Sequence, residues 1–210
     1  MDQELGKIEK PDAESFKKGR RLFLVPLLYA GKDAPPDYVE KYELYWKQVD
    51  EQVRHLESRV GLVNRVYHES ISVGGKEGLE IMEKVNIKSY EMARQKCQDK
   101  AQLEVIEDKQ LAEENMDWER CMLIGFLSDT VASKVYESYV ESAKKRYAYM
   151  GKKIDETLEA NEIAILFIRE GHMVQFPKDV EVFSVAPPSL DEIHRWMRDR
   201  INREKANDQV

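Results

Sequence analysis

The sequence predicts an α/β domain: a small, mostly parallel, Rossmann-like sheet of about four strands with a long antiparallel helical hairpin inserted into it. Two observations carry this expectation. Strand-like blocks at Arg21–Ala30, Leu62–Ser72, Glu162–Glu170 and Val180–Ala186 enclose a helical pattern from about Ile87 to about Leu158. The first three strand blocks are also joined through helical sequence, the connection that lets consecutive strands run parallel.

The chain has 210 residues, 42% hydrophobic and 35% charged, which is enough for one ordinary core and too little for two comfortable domains. Residues 1–19 read as a flexible tail, since their few apolar side chains have no period, and residues 20–210 read as a single domain with a helical arm over 87–158.

The first strand, Leu22-Phe-Leu-Val-Pro-Leu-Leu-Tyr-Ala, is continuously apolar, as a strand covered on both faces should be. Pro26 cannot donate to a ladder, so an edge position or a bulge is expected there. After Gly31-Lys-Asp-Ala-Pro-Pro, Asp37 is placed as an N-cap. Tyr38, Tyr42, Tyr45, Val49, Val53, Leu56 and Val60 then recur every three or four residues, one apolar stripe on a helix of about six turns. That stripe, with Trp46 beside it, reads as core packing rather than as a stacking surface for a ligand.

The second strand runs into Val73-Gly-Gly-Lys-Glu-Gly before a helical segment at Leu79–Lys84. Glycines at a helix N-terminus make a physically sensible anion cradle, although the spacing matches neither the phosphate loop nor the dinucleotide fingerprint. From Ile87 the helical pattern holds through Ala101 and then loses register in an acidic stretch. Glu104 to Glu119 carries seven acids against Lys109, −6 of the chain's −7. No Glu-x-x-His accompanies those acids, so the stretch reads as a solvated face rather than a metal site.

Gly125 and Ser128-Asp129-Thr130 mark a turn, after which Val131, Val135, Tyr139, Ala143, Tyr147, Met150, Ile154 and Leu158 form a second stripe. Helices of that length overhang a four-stranded sheet, so self-association through the arm is expected. Glu162-Ile-Ala-Ile-Leu-Phe-Ile-Arg-Glu is the clearest strand, and Met173-Val-Gln-Phe-Pro after it is either the return of a hairpin or an extended loop. A last strand at Val180 leads to a helix capped by Ser189, with Leu190, Ile193, Met197 and Ile201 inside.

Composition narrows the function. No basic face dominates, which argues against nucleic acid as a partner, and no apolar run approaches the length of a membrane span. Cys97 and Cys121 sit in no metal or redox motif and read as small buried hydrophobes of a soluble, cytoplasmic protein.

Parallel strands gather their C-terminal ends on one edge, where ligand sites of open α/β sheets lie. The candidates collected there are Lys32 after the first strand; His68, Glu69, Gly74, Gly75 and Lys76 at and after the second; and Arg169, Glu170 and His172 after the third, with Tyr29 and Asp33 nearby. Histidine beside glutamate is the raw material of proton transfer, and Arg169 and Lys76 would neutralise an anion. The leading expectation is a ligand-binding or regulatory domain with a small-anion site at that edge. The alternatives are an interaction protein working through the arm and a metal-assisted hydrolase. No cofactor and no resident metal is assigned, and no catalytic residue is named.

Overall fold

The computed structural model describes residues 19–207; the expected tail at 1–19 falls, except for Gly19, outside them. The order of elements is β1 (Arg20–Pro26), α1 (Pro36–Val60), β2 (Arg65–His68), α2 (Gly75–Val85), α3 (Ile87–Gln98), β3 (Gln102–Leu103), α4 (Lys109–Leu123), α5 (Asp129–Thr157), β4 (Ile163–Ile168), β5 (Val180–Ser184) and α6 (Pro188–Asn207). The chain is therefore an α/β protein with one sheet of five strands, ordered β3-β2-β4-β1-β5, and every pairing is parallel.

β4 lies at the centre because its sequence suits no other place: Ile163 to Ile168 is six apolar residues in a row, all buried. Alternation divides it between two cores. Ile163, Ile165 and Phe167 join Phe23, Val25 and Val66 under α1, α3 and α6, while Ala164, Leu166 and Ile168 join Leu22 and Tyr67 under α5. On the first face, the stripe of α1 is buried at Tyr38, Tyr42, Tyr45, Trp46, Val49 and Val53. On the second, α5 contributes Ala143, Tyr147, Met150 and Ile154.

Two expectations are corrected. The sheet has a fifth strand, β3, whose two residues break the expected helical run; α3 before it packs on the sheet through Met92 and Ala93, leaving α4 and α5 as consecutive helices packed on each other. Pro26 is not in an edge strand, since β1 lies between β4 and β5. It is tolerated because the N–H groups of Arg21 and Leu27 donate to β4, so by alternation position 26 faces the β5 side, where the ladder has already ended at Leu24 and Ser184. Of the two courses expected after β4, residues 169–179 take the extended loop, with Val174 and Phe176 against the second core, and deliver β5 parallel to β1.

Candidate functional site

At the C-terminal edge of the sheet, β2 ends in His68-Glu69, and the backbone turns sharply at Ser70, which adopts φ +70°. A left-handed serine costs about 1–2 kcal/mol and is held only where its surroundings enforce it. Here the Ser70 N–H donates to Glu107 Oε2 at 3.0 Å. Glu69 itself is 1% exposed. Its Oε1 accepts the Arg169 backbone N–H at 2.9 Å, so this side chain ties the end of β2 to the end of β4. Its Oε2 is buried with no hydrogen bond and lies 3.4 Å from Arg169 Nε and 3.8 Å from Arg146 Nη2.

Arg146 enters from the inner face of α5 and is 4% exposed. It meets Glu107 in a two-pronged pair, Nε to Oε1 at 2.9 Å and Nη2 to Oε2 at 2.5 Å. Asn115 on α4 accepts from Arg146 Nη1 at 3.5 Å and donates to Ser142 at 2.9 Å, which fixes α4 against α5 above the site. Arg169, more open, donates from Nη1 to both oxygens of Glu119 at 3.0 and 3.3 Å.

The electrostatics follow from this burial. Burial pushes the Glu69 carboxyl up, against the lowering pull of Arg169 and Arg146. Burial opposes the charge on both arginines, but the carboxylates around them win and hold both guanidiniums above their ordinary range: Glu107 and Glu69 for Arg146, Glu69 and Glu119 for Arg169. Burial likewise raises Tyr147, whose ring lies 5.6 Å from the Arg146 guanidinium carbon.

Of these groups, Glu107, Asn115, Glu119, Arg146 and Arg169 border a cavity of about 190 Å³. Its wall is made by Ser70 and Ser72 from the loop after β2, by Ala112, Met116 and Glu119 on one face of α4, and by Arg146 and Arg169. The space matches roughly six waters at their liquid volume, so it suits a small polar molecule and is below the usual size of a drug-sized pocket.

Of the residues expected at this edge, the structure brings together Glu69 and Arg169. The others lie elsewhere. His68 is 1% exposed and belongs to the first core, between Phe167 and α3. Its Nε2 lies 3.1 Å from Ser89 Oγ and its Nδ1 contacts the Glu69 carbonyl. A neutral ring protonated on Nδ1 satisfies both contacts, and burial accordingly lowers its pKa to about 4. His172 is half-buried between Tyr147 and Phe176 and accepts the Val174 N–H. Glu170 pairs with His194 of α6 at 2.7 Å on the surface. Lys32 is exposed in the turn after β1, and Lys76 points to solvent beside Glu80. Gly74 and Gly75 cap and begin α2, with Gly75 at φ +62°, and neither lines the cavity.

Sequence reasoning missed Glu107, Asn115, Glu119 and Arg146. Glu107 was expected on a solvated acidic face, yet it is 2% exposed because Arg146 meets it there. The available signal was Arg146 itself: it stands in the stripe with Ala143, Tyr147 and Met150, where a solvated arginine would not belong. Among the described residues, no group of three or more His, Cys, Asp or Glu side chains is placed to hold a metal ion. No helix of the described chain is long and apolar enough to cross a membrane.

No family model, curated protein or solved structure matches the chain. The site must be interpreted from its own geometry.

Proposed function

We propose that this protein is a ligand-binding α/β domain that takes a small molecule bearing an acidic group into the cavity beneath α4 and α5, at the C-terminal edge of the sheet. One observation carries the reading: two guanidiniums, Arg146 and Arg169, stand on the wall of a cavity of about 190 Å³, held by the carboxylates of Glu107, Glu69 and Glu119. Arg146 is held in place by its buried pair with Glu107, and Arg169 can exchange its more exposed partner Glu119 for a carboxylate or phosphate. The strained Ser70 backbone beside them fits the habit of functional loops to sit where a scaffold enforces an unfavourable conformation. A cytoplasmic setting accords with Cys97 and Cys121 both being free thiols.

The test is thermal unfolding of wild type, Arg169→Gln and the cavity-filling Ala112→Phe with phosphate, sulfate, acetate and L-alanine. A ligand at a hundred times its Kd adds about 2.7 kcal/mol if it binds only the folded state. The reading expects such a shift in wild type and its loss in both variants; no shift with these anions or with L-alanine refutes it.

A second reading concerns the far end of the α4–α5 pair, where Leu123, Ile124 and Leu127 are 82%, 78% and 110% exposed. α5 carries a hollow of about 270 Å³ lined by Tyr136, Val140 and the side chains of Glu137, Glu141 and Lys144, with a mostly apolar surface. Tip and hollow on one arm are self-complementary, so a two-fold axis across α5 seats each tip in the hollow of a second copy of this chain. Sedimentation of wild type against Leu127→Glu tests it: a dimer that dissociates in the variant supports this reading, and a wild-type monomer at 100 µM ends it.

A further inference from the structure

The acid-group reading leaves open what else the ligand carries, and the two arginines differ in a way that decides it. The Arg146–Glu107 pair is sealed, with side chains 4% and 1% exposed. The Arg169–Glu119 pair is not: its side chains are 36% and 41% exposed, and both line the cavity. Of the two bridges, this second one is open to solvent and so to a ligand.

Charge accounting then constrains the ligand. The cavity wall holds three acids, Glu107, Glu113 and Glu119, and three bases, Lys109, Arg146 and Arg169. A simple anion that takes Arg169 comes to lie beside the carboxylate of Glu119, and the two like charges repel. A molecule carrying both charges avoids this: its carboxylate takes Arg169 while its ammonium takes the released Glu119, with Glu113 on the same helix 65% exposed nearby. One ion pair becomes two, and no charge is left alone. The volume of roughly six waters sets the size at that of a free α-amino acid, and Ala112 and Met116 on the same wall give its side chain an apolar surface.

We infer that the cavity binds a small zwitterion of the α-amino acid class, inserted into the Arg169–Glu119 salt bridge. This rests on the acid-group reading above and specifies its ligand. The experiment is calorimetric titration of the full chain with L-alanine, L-serine, acetate, methylammonium and phosphate, on wild type, Glu119→Gln and Ala112→Phe. A contact to a charged partner is worth enough that losing the ammonium weakens binding about tenfold or more. The expected result is saturable binding of an amino acid, at least about tenfold weaker binding of acetate, and a weakened amino acid in Glu119→Gln with acetate unchanged or improved. Acetate or phosphate binding as tightly as the amino acids overturns the inference and leaves the acid-group reading standing. Binding of none of the five overturns both, and amino-acid binding that survives Ala112→Phe places the site elsewhere and overturns the inference as well.

Discussion

The buried histidine at the end of β2 sets a measurable acid sensitivity. His68 is 1% exposed and its pKa is lowered by burial to about 4, against 6.5 in an unfolded chain. Between those values the unfolded state binds the proton and the folded state does not, so stability falls as pH falls through that window and is fully present above it. That difference corresponds to roughly 3 kcal/mol, of which about 2 kcal/mol is lost by pH 5 and most of the rest by pH 4. Other groups contribute to the wild-type curve: burial also lowers the half-buried His172, and burial raises Glu69, which acts in the opposite sense. Subtracting a variant removes them. His68→Gln keeps a donor and an acceptor near the Ser89 hydroxyl and the Glu69 carbonyl but cannot titrate. Urea unfolding of both proteins at pH 7, 5.5, 5 and 4 is the assay. The variant should start about 1–2 kcal/mol less stable at pH 7, and the gap should close and reverse as the pH drops. Parallel stability curves for the two proteins between pH 7 and 5 would refute the placement of a neutral histidine in the core.

Three further outcomes are expected. Glu107→Gln leaves Arg146 buried beside a neutral partner and should cost about 3–5 kcal/mol, read as a fall in urea midpoint without a change in slope. Lys96→Met strands Glu57, its partner at 2.6 Å with both side chains nearly buried, and should cost a similar 3–5 kcal/mol; adding Glu57→Gln should recover most of it, and a double variant no better than the single one counts against the pair. A methyl group at Gly78 would lie 2.3 Å from the Val73 carbonyl oxygen and 2.9 Å from Leu103 Cδ2, so Gly78→Ala should cost about 2 kcal/mol or more, a drop in Tm of about 5 °C by thermal melt.

Much of the fold was legible because its signals are local. The six apolar residues of β4 and the stripes of α1 and α5 state their own burial, and the parallel edge followed from how the strands are joined. β3 was not legible: two residues, Gln102 and Leu103, carry no periodicity, and only pairing with Arg65 and Val66 makes them a strand. The site was partly legible for the same reason. Glu69 and Arg169 end adjacent strands, so topology alone brings them together. Arg146 and Glu107 are 39 residues apart, and a charged side chain in an acidic stretch reads as solvated until its partner is known. His68 failed differently: it follows Val66 by two residues and so shares its inward face, where α3 and Ser89 cover it, although a strand end ordinarily opens to solvent.

The strand order has a consequence for how the molecule is made. β1 and β2 are never neighbours; each is completed on its inner side only by β4, which is not synthesised until residues 163–168. Until then a nascent chain of some 160 residues holds two apolar ribbons with bare hydrogen-bonding edges and no sheet to join. Partners as far apart in sequence as Arg21 and Ile163 must meet before the centre can close. Fragments ending before Ile163 should therefore aggregate rather than fold, and the last quarter of the chain acts as the keystone that halts that hazard.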